Sequence, residues 1–455
     1  MAIYAHIHKS VIRPLWDKYN NINYAQYYAA IAGISNASIK DIRQYQLAKL
    51  KKLLRHAEKN VPYYQELFRK AGIAVARINT WQDFKTIPLL EKAELRNNPQ
   101  KFIDVQADVS QLIRSGTGGT TDSPIPIFYD RNRRNAKVAE MVFFRKWFSW
   151  HPESKVTYLW GAPGDFPKND SLLAQIRNKY IDRCQFLPAS LLNEQIMASY
   201  VDRINKFKPE IIQAYSNPAY LLARYILTHN KAVHRPKTLV VTAEPCYRPQ
   251  RQTIKQAFDC PVTSFYGARE AGYIACECSQ QQLHINSHGL FVEILKQRES
   301  ARPHEIGDVV ITDLLNFTMP LIRYKIGDMA SIAAHPCDCG CELPRLNFFA
   351  GRETDVFVTP QGDLIPGVSL CDRVVKDCAG FAQLQFVQDR PDTLTVKMVK
   401  GGNFTQIDMR ILDEAIAQYF QGKLKIEKIF VAEIPKEKSG KTRFCISKLP
   451  DSPKV

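Results

Sequence analysis

No apolar run in the 455 residues approaches the ~18 needed to cross a bilayer. The opening Met1-Ala2-Ile3-Tyr4-Ala5-His6-Ile7-His8-Lys9 lacks a basic segment followed by a long apolar stretch. It does not read as a secretory leader, and retention in the cytosol is expected. No glycine-rich loop is followed by Gly-Lys-Ser/Thr at Walker spacing, which excludes a P-loop nucleotide fold. There is no internal repeat and no low-complexity tract, so neither a solenoid nor a disordered linker architecture applies. Finger-type and RNA-binding signatures are missing too, and the basic residues form no long run. Nucleic acid is therefore not the expected partner.

What is present is an ordinary globular composition, 45% hydrophobic and 24% charged, with a net charge of +17. The length calls for more than one core. The positive excess suits solubility or acidic ligands, such as coenzyme A or an acyl carrier protein. A non-catalytic nucleotide- or nucleic-acid-binding protein is the alternative that the charge leaves open. Five of the eleven cysteines fall in two places, Cys276 and Cys278, then Cys337, Cys339 and Cys341. In a cytosolic chain such clustering points to a metal rather than to disulfides.

The periodicity predicts an α/β protein. A helical leader covers 1–109, with an amphipathic helix over 38–59 capped by Ser38 and Asp41. From about 110, β-rich stretches alternate with helices, which argues for parallel pairing in layers. Strands are expected at 156–160, 238–242 and 262–266, among others. About 284–350 reads as a β-rich subdomain, with separate strands at 321–324 and 329–333. A short α+β pattern over 351–455, including a helix at 368–378, makes a second, smaller domain after an N-terminal domain of 1–350.

Five local patterns follow one another along the chain. Ser115-Gly116-Thr117-Gly118-Gly119-Thr120-Thr121 is a glycine–hydroxyl loop rich in small donors, suited to a polyphosphate. Thr242-Ala243-Glu244-Pro245 and Tyr266-Gly267-Ala268-Arg269-Glu270 lie at strand ends. Arg323-Tyr324-Lys325-Ile326-Gly327-Asp328 comes next. Last are Gly351-Arg352-Glu353-Thr354-Asp355 and Pro435-Lys436-Glu437-Lys438-Ser439-Gly440-Lys441. This order resembles the adenylate-forming enzymes, within them the phenylacetate–CoA ligase branch, and closest the CapK-like proteins associated with capsular polysaccharide synthesis. Asn60-Val61-Pro62-Tyr63-Tyr64 and Met319-Pro320-Leu321-Ile322-Arg323-Tyr324 carry the finer likeness.

The resemblance implies ATP-dependent activation of a small carboxylic acid as acyl-AMP, then transfer to CoA or a carrier-protein thiol. Adenylyl or acyl transfer to an amine or hydroxyl is the alternative. It implies that Ser115, Gly116, Thr117, Gly118, Gly119 and Thr120 hold pyrophosphate, and that Ala243, Glu244 and Pro245 line adenine. Tyr266 and Gly267 would flank the base, and Glu270 would bind magnesium. Asp328 would bind the ribose, with Arg352 beside it. Lys441 would bridge the acid and the α-phosphate. The loop is two residues longer than the family's compact form, and Arg269 stands where threonine is usual. Thr354 or Asp355 would be the hinge of a mobile C-terminal domain. Cys278, His284, Cys337 and Cys339 make a Cys-x5-His and a Cys-x-Cys pair, a three-thiolate, one-imidazole set that fits closed tetrahedral zinc. Cys276 and Cys341 are competing ligands ranked second. Oligomerisation is possible.

Overall fold

The computed structural model describes residues 2–116, 126–160, 172–189, 194–242, 246, 248–352, 356–361, 364–366, 380–401, 404–435 and 445–449. The chain forms two compact units, Met1–Ser154 with Thr263–Phe348, and Lys155–Val262 with Phe349–Val455.

The leader is a series of helices: α1 (Ala2–Ile7), a π turn (His8–Ile12), α2 (Arg13–Tyr19), α3 (Ala25–Ser35), α4 (Ile39–Asn60), α5 (Pro62–Lys70), α6 (Trp81–Phe84) and α7 (Lys92–Asn97). In α4 the Ser38 hydroxyl accepts from the Asp41 N–H, which satisfies one of the free donors at a helix start. Ile42, Leu50, Leu53, Leu54 and Ala57 form its buried stripe, as their spacing predicts. Ile39, at the first position of the helix, is exposed. The buried face takes in Gln46 instead, whose amide donates to the carbonyls of Ser287 (3.1 Å) and Leu290 (2.9 Å).

Strands β1 (Ile113–Gly116) and β2 (Pro126–Tyr129) pair antiparallel, Ser115 opposite Ile127. Asp130 then caps α8 (Arg131–Arg145), its carboxylate accepting from the Arg133 N–H at 2.8 Å. That cap starts the helix at Arg131. It ends at Arg145, running into a 3-10 turn at Lys146–Phe148 and a left-handed Ser149.

The second unit opens with β3 (Val156–Trp160), α9 (Leu172–Ile176), β4 (Cys184–Pro188), α10 (Glu194–Phe207), β5 (Ile211–Tyr215), α11 (Ser216–Thr228), β6 (Thr238–Thr242) and α12 (Arg248–Phe258). The strands are parallel in the order β6-β5-β3-β4. All five residues of β5 and of β6 are buried, as expected when both faces of a parallel sheet are covered.

In the first unit β7 (Val262–Ala268), β8 (Gly272–Glu277), β9 (Leu283–Ile285), β10 (Leu290–Lys296), β11 (Glu299–Ser300), β12 (Gly307–Asp313), β13 (Tyr324–Ile332) and β14 (Arg345–Arg352) follow in order β11-β10-β12-β13-β14-β9-β8-β7. The antiparallel pattern begins with β7 and not near 284, because β7 pairs with β8 and β8 with β9. One nine-residue strand, β13, replaces the two expected at 321–324 and 329–333. Gly327 in its middle has φ +83°, so the strand carries an irregularity at the Gly327-Asp328 pair.

The C-terminal residues add β15 (Val356–Val358), β16 (Leu364–Pro366), β17 (Phe381–Arg390), β18 (Thr393–Lys400), α13 (Gln406–Phe420), β19 (Lys425–Phe430) and β20 (Cys445–Ser447). Four of these strands make a sheet in the order β19-β18-β17-β20. Phe386, Leu394, Val396, Leu412 and Phe420 form its core. The helix expected at 368–378 lies outside the described residues.

Candidate active site

The tight β7–β8 hairpin presents Glu270. Tyr266 and Gly267 sit at an irregularity in the pairing, and Gly272 closes the turn with φ +84°. A Cβ on Gly267 would come within 2.9 Å of the Gly272 carbonyl oxygen, so only glycine fits there without displacing backbone. Glu270 is 7% exposed and has no ion-pair partner among the described residues. Burying a carboxylate unpaired is costly. A site of this kind suits an incoming cation.

The hairpin tip is held from below by α8. Arg133 is fully buried: its Nε donates to Asp313 Oδ2, its Nη1 to Glu140 Oε1 and its Nη2 to the Ala271 carbonyl, each at 2.9 Å. One turn on, the Lys137 ammonium donates to the carbonyls of Arg269 (3.3 Å) and Glu270 (3.5 Å). Burial, then the neighbouring Arg133 charge, push its pKa down to about 8. The second oxygen of Glu140 has no hydrogen-bond partner, and burial holds that carboxyl above its ordinary range despite Arg133.

Across the sheet, Tyr266 donates its hydroxyl proton to Asp328 Oδ2 at 2.6 Å. This fixes one carboxylate oxygen. The Tyr324 hydroxyl is buried beside Glu270 and Asp328, and burial, then those two carboxylates, keep it protonated far above its ordinary pKa. The Lys92 ammonium of α7 lies against Gly327, where a Cβ would meet it at 2.9 Å. Four of the residues singled out in the sequence, Tyr266, Gly267, Glu270 and Asp328, are thus assembled in the first unit. Ser115 and Gly116 end β1, ahead of the glycine–hydroxyl loop. Arg352 closes β14 in the second unit. Thr117, Gly118, Gly119, Thr120, Ala243, Glu244, Pro245, Thr354, Asp355 and Lys441 lie outside the described residues.

Arg133, Lys137, Lys92 and Tyr324 were not read as site residues from sequence. Arg133 and Lys137 look like part of a solubilising basic cluster. The available signal was Glu140, seven residues on and therefore on the same helix face as Arg133.

The cysteine cluster is built at the other end of the same sheet. The ligand atoms of Cys278, His284, Cys337 and Cys339 all lie within 4.8 Å of one another. Cys278 and Cys337 sulfurs are 3.7 Å apart, and Cys339 Sγ is 3.4 Å from His284 Nε2. His284 Nδ1 lies 2.9 Å from the Leu343 carbonyl, which as its acceptor sets the tautomer that leaves Nε2 free as a ligand. Burial holds the ring below the usual histidine pKa, in the neutral form a metal requires. Cys276 is fully buried on β8, and Cys341 Sγ lies 3.6 Å from the Ser35 carbonyl; neither belongs to the four.

Residues 357–448 match the family model of the CapK C-terminal domain. The chain is 24% identical to Protein CapK of Staphylococcus aureus over 93% of its own length and 92% of that protein. The chain is CapK-like and phenylacetate–CoA ligase-like. To phenylacetate-coenzyme A ligase of Pseudomonas putida this CapK-like chain is 23% identical over 90% of each. Its fold matches a crystal structure of 2-hydroxyisobutyryl-CoA ligase in the postadenylation state, with a TM-score of 0.75 over 91% of each chain at 16% identity. No helix among the described residues is long and apolar enough to cross a membrane.

Proposed function

We propose that this CapK-like protein is an AMP-forming acid–thiol ligase. An oxygen of the acid's carboxylate bonds to the α-phosphorus of ATP, the bond to pyrophosphate breaks, and acyl-AMP results. A thiolate, of CoA or a carrier protein, then bonds to the acyl carbon, and AMP leaves. The observation that carries this reading is the assembly of Tyr266 on β7, Glu270 in the β7–β8 turn and Asp328 on β13, where the Tyr266 hydroxyl reaches the Asp328 carboxylate.

In this reading Asp328, held by Tyr266, accepts from the ribose hydroxyls. A carboxylate locked by one short hydrogen bond binds a diol without first being ordered. Glu270, buried and with no ion-pair partner among the described residues, would hold a magnesium ion through its carboxylate. Bound there, the ion would neutralise phosphate charge. Lys137 and Arg133 fix the backbone on either side of that carboxylate. Ser115 and the glycine–hydroxyl loop supply donors for the leaving pyrophosphate, and Lys441 a point charge on the attacking pair. Zinc at Cys278, His284, Cys337 and Cys339 has four protein ligands, no open position, and a structural role. A place in surface polysaccharide synthesis rests on the CapK likeness alone, and a cytoplasmic site of action goes with the nucleotide substrate.

The test is ATP–pyrophosphate exchange with a panel of aryl, fatty, hydroxy and amino acids, followed by CoA dependence of AMP release. Replacing Lys441 by Ala should cut exchange by orders of magnitude and leave ATP binding largely intact. Unchanged exchange in that variant sinks the assignment of Lys441, and no exchange with any acid sinks the reaction.

A further inference from the structure

The first helical stretch carries an apolar stripe that nothing among the described residues covers. Ile7, Val11, Leu15 and Tyr19 are 44%, 49%, 62% and 79% exposed. They are spaced four apart over α1, the π turn and α2. Four-residue steps overshoot an α-helical turn by about 40°. The wider winding of the π turn at His8–Ile12 takes up part of that drift, so the stripe runs nearly straight for about 18 Å. Scattered exposed apolar residues need no explanation; a contiguous row of four on one helix does.

The charge beside the stripe is of one sign. Lys18 flanks the row, whereas Lys9, two residues from both Ile7 and Val11, lies on the opposite, polar side of the helix; both are exposed. Asp17 is the sole acid between Met1 and Lys40, and it is 9% exposed and paired with Arg13 at 2.9 Å. The Trp16 ring packs beside Tyr19, with centroids 6.0 Å apart, which adds an aromatic pair at one end of the row. The helix end is tied down: the Arg134 guanidinium of α8 donates to the carbonyls of Asn20 (2.9 Å) and Asn21 (2.7 Å). The stripe is thus presented by an anchored helix.

We propose that this helix lies on an anionic lipid surface, with Ile7, Val11, Leu15 and Tyr19 in the headgroup–acyl boundary, Lys18 against lipid phosphates and Lys9 on the polar face above them, within reach of the surface potential. A basic helix with one apolar row has the composition of an interfacial element. The net charge of +17 draws the whole molecule the same way. A protein partner or a second copy would more usually set acids among the bases at the rim, and no acid is exposed among the described residues of 2–40. The proposal is independent of the ligase reading, since its readout is lipid binding.

The experiment is co-sedimentation of the full chain with vesicles of phosphatidylcholine alone, or of phosphatidylcholine and phosphatidylglycerol in equal parts. Binding to the mixed vesicles, weakened by salt, is expected. The double variant Val11→Glu, Leu15→Glu should lose at least ~tenfold in affinity while melting temperature and vesicle-free exchange activity stay unchanged. Lys9→Ala and Lys18→Ala should each weaken binding roughly fivefold. Equal binding by the double variant, or no binding by the native chain, overturns the proposal. So does a native dimer that Leu15→Glu turns into a monomer without any vesicle binding, which makes the stripe a seam between copies.

Discussion

Replacing Arg133 by Met removes the charge that α8 buries beneath the β7–β8 hairpin. The guanidinium is 0% exposed, Glu140 0% and Asp313 1%. Truncation leaves two buried carboxylates with no guanidinium between them and only the Lys137 ammonium nearby. Breaking a buried pair by deleting one partner costs about 3–5 kcal/mol. The Ala271 carbonyl, now without its donor, adds about 1–3 kcal/mol. At about 2–4 °C per kcal/mol for a unit of this size, the melting temperature should fall by something on the order of 10–20 °C. The penalty has a signature that lost packing lacks. It shrinks as the pH is lowered, because protonating Glu140, whose carboxyl burial already holds above its ordinary range, discharges one of the orphaned pair. Glu140→Gln keeps the Arg133–Asp313 bond and should cost less than half as much. Urea or thermal melts at two pH values measure both effects. Below the transition, exchange per folded Arg133→Met molecule should still drop, with a raised magnesium requirement, because Glu270 loses the fixed backbone beside it. A melting temperature within ~2 °C of native refutes the burial argument. Loss of exchange in step with unfolding alone refutes the link to Glu270.

Asp328→Asn should weaken ATP binding by about 10- to 100-fold, the value of a charged hydrogen bond, and Tyr266→Phe by less, since it only frees the carboxylate; equilibrium binding of ATP decides between them. The purified chain should contain one zinc per molecule by elemental analysis, and Cys337→Ser should lose the metal and lower the melting temperature, because zinc binding contributes to folding on the order of 10 kcal/mol. His288 is buried against Tyr45, its Nδ1 2.6 Å from the phenol oxygen, and burial, then Lys49 and Arg133, push its pKa down to about 3. The unfolded chain takes up that proton first, so stability should fall as pH drops from about 6.5 toward 3, and less steeply in Lys49→Met. Acid melts of the two proteins test it.

The parts legible in sequence are those with local causes. Strands Val156–Trp160 and Thr238–Thr242, and helix Gln406–Phe420, stand where periodicity and caps put them. The Cys278, His284, Cys337 and Cys339 quartet was readable because thiolate and imidazole spacing has few other meanings. What escaped depends on tertiary pairing. Gly272–Glu277 alternates too little to mark a strand, and becomes one only because β7 and β9 flank it. Gly327-Asp328 has turn chemistry, yet β12 keeps it in a strand across a register shift. Arg323 occupies a left-handed conformation, φ 50°, and buries its guanidinium against Glu293 and the carbonyls of Lys85 and Ile87. None of those partners lies within twenty residues of it in sequence.

The assembly of the candidate site has one mechanical centre, and it is α8. Its N-terminus is fixed by Asp130, directly after β2, whose pairing with β1 closes the ends of the glycine–hydroxyl segment. Its next turns place Arg133 and Lys137 under the three carbonyls of 269–271. The same helix therefore sets both the base of the segment assigned to pyrophosphate and the tip that carries the carboxylate assigned to magnesium. An ion held by Glu270 would have to meet phosphates held by that segment, so on this reading the separation of the two anchors has to be closely fixed. A buried cation network is a costly way to gain stability, since apolar side chains of equal volume do as well. It is a rational way to gain position, because a guanidinium bonded to Glu140, Asp313 and Ala271 at once has one orientation. On this argument Arg133→Lys, which keeps the charge and loses the fork, should recover more stability than exchange activity.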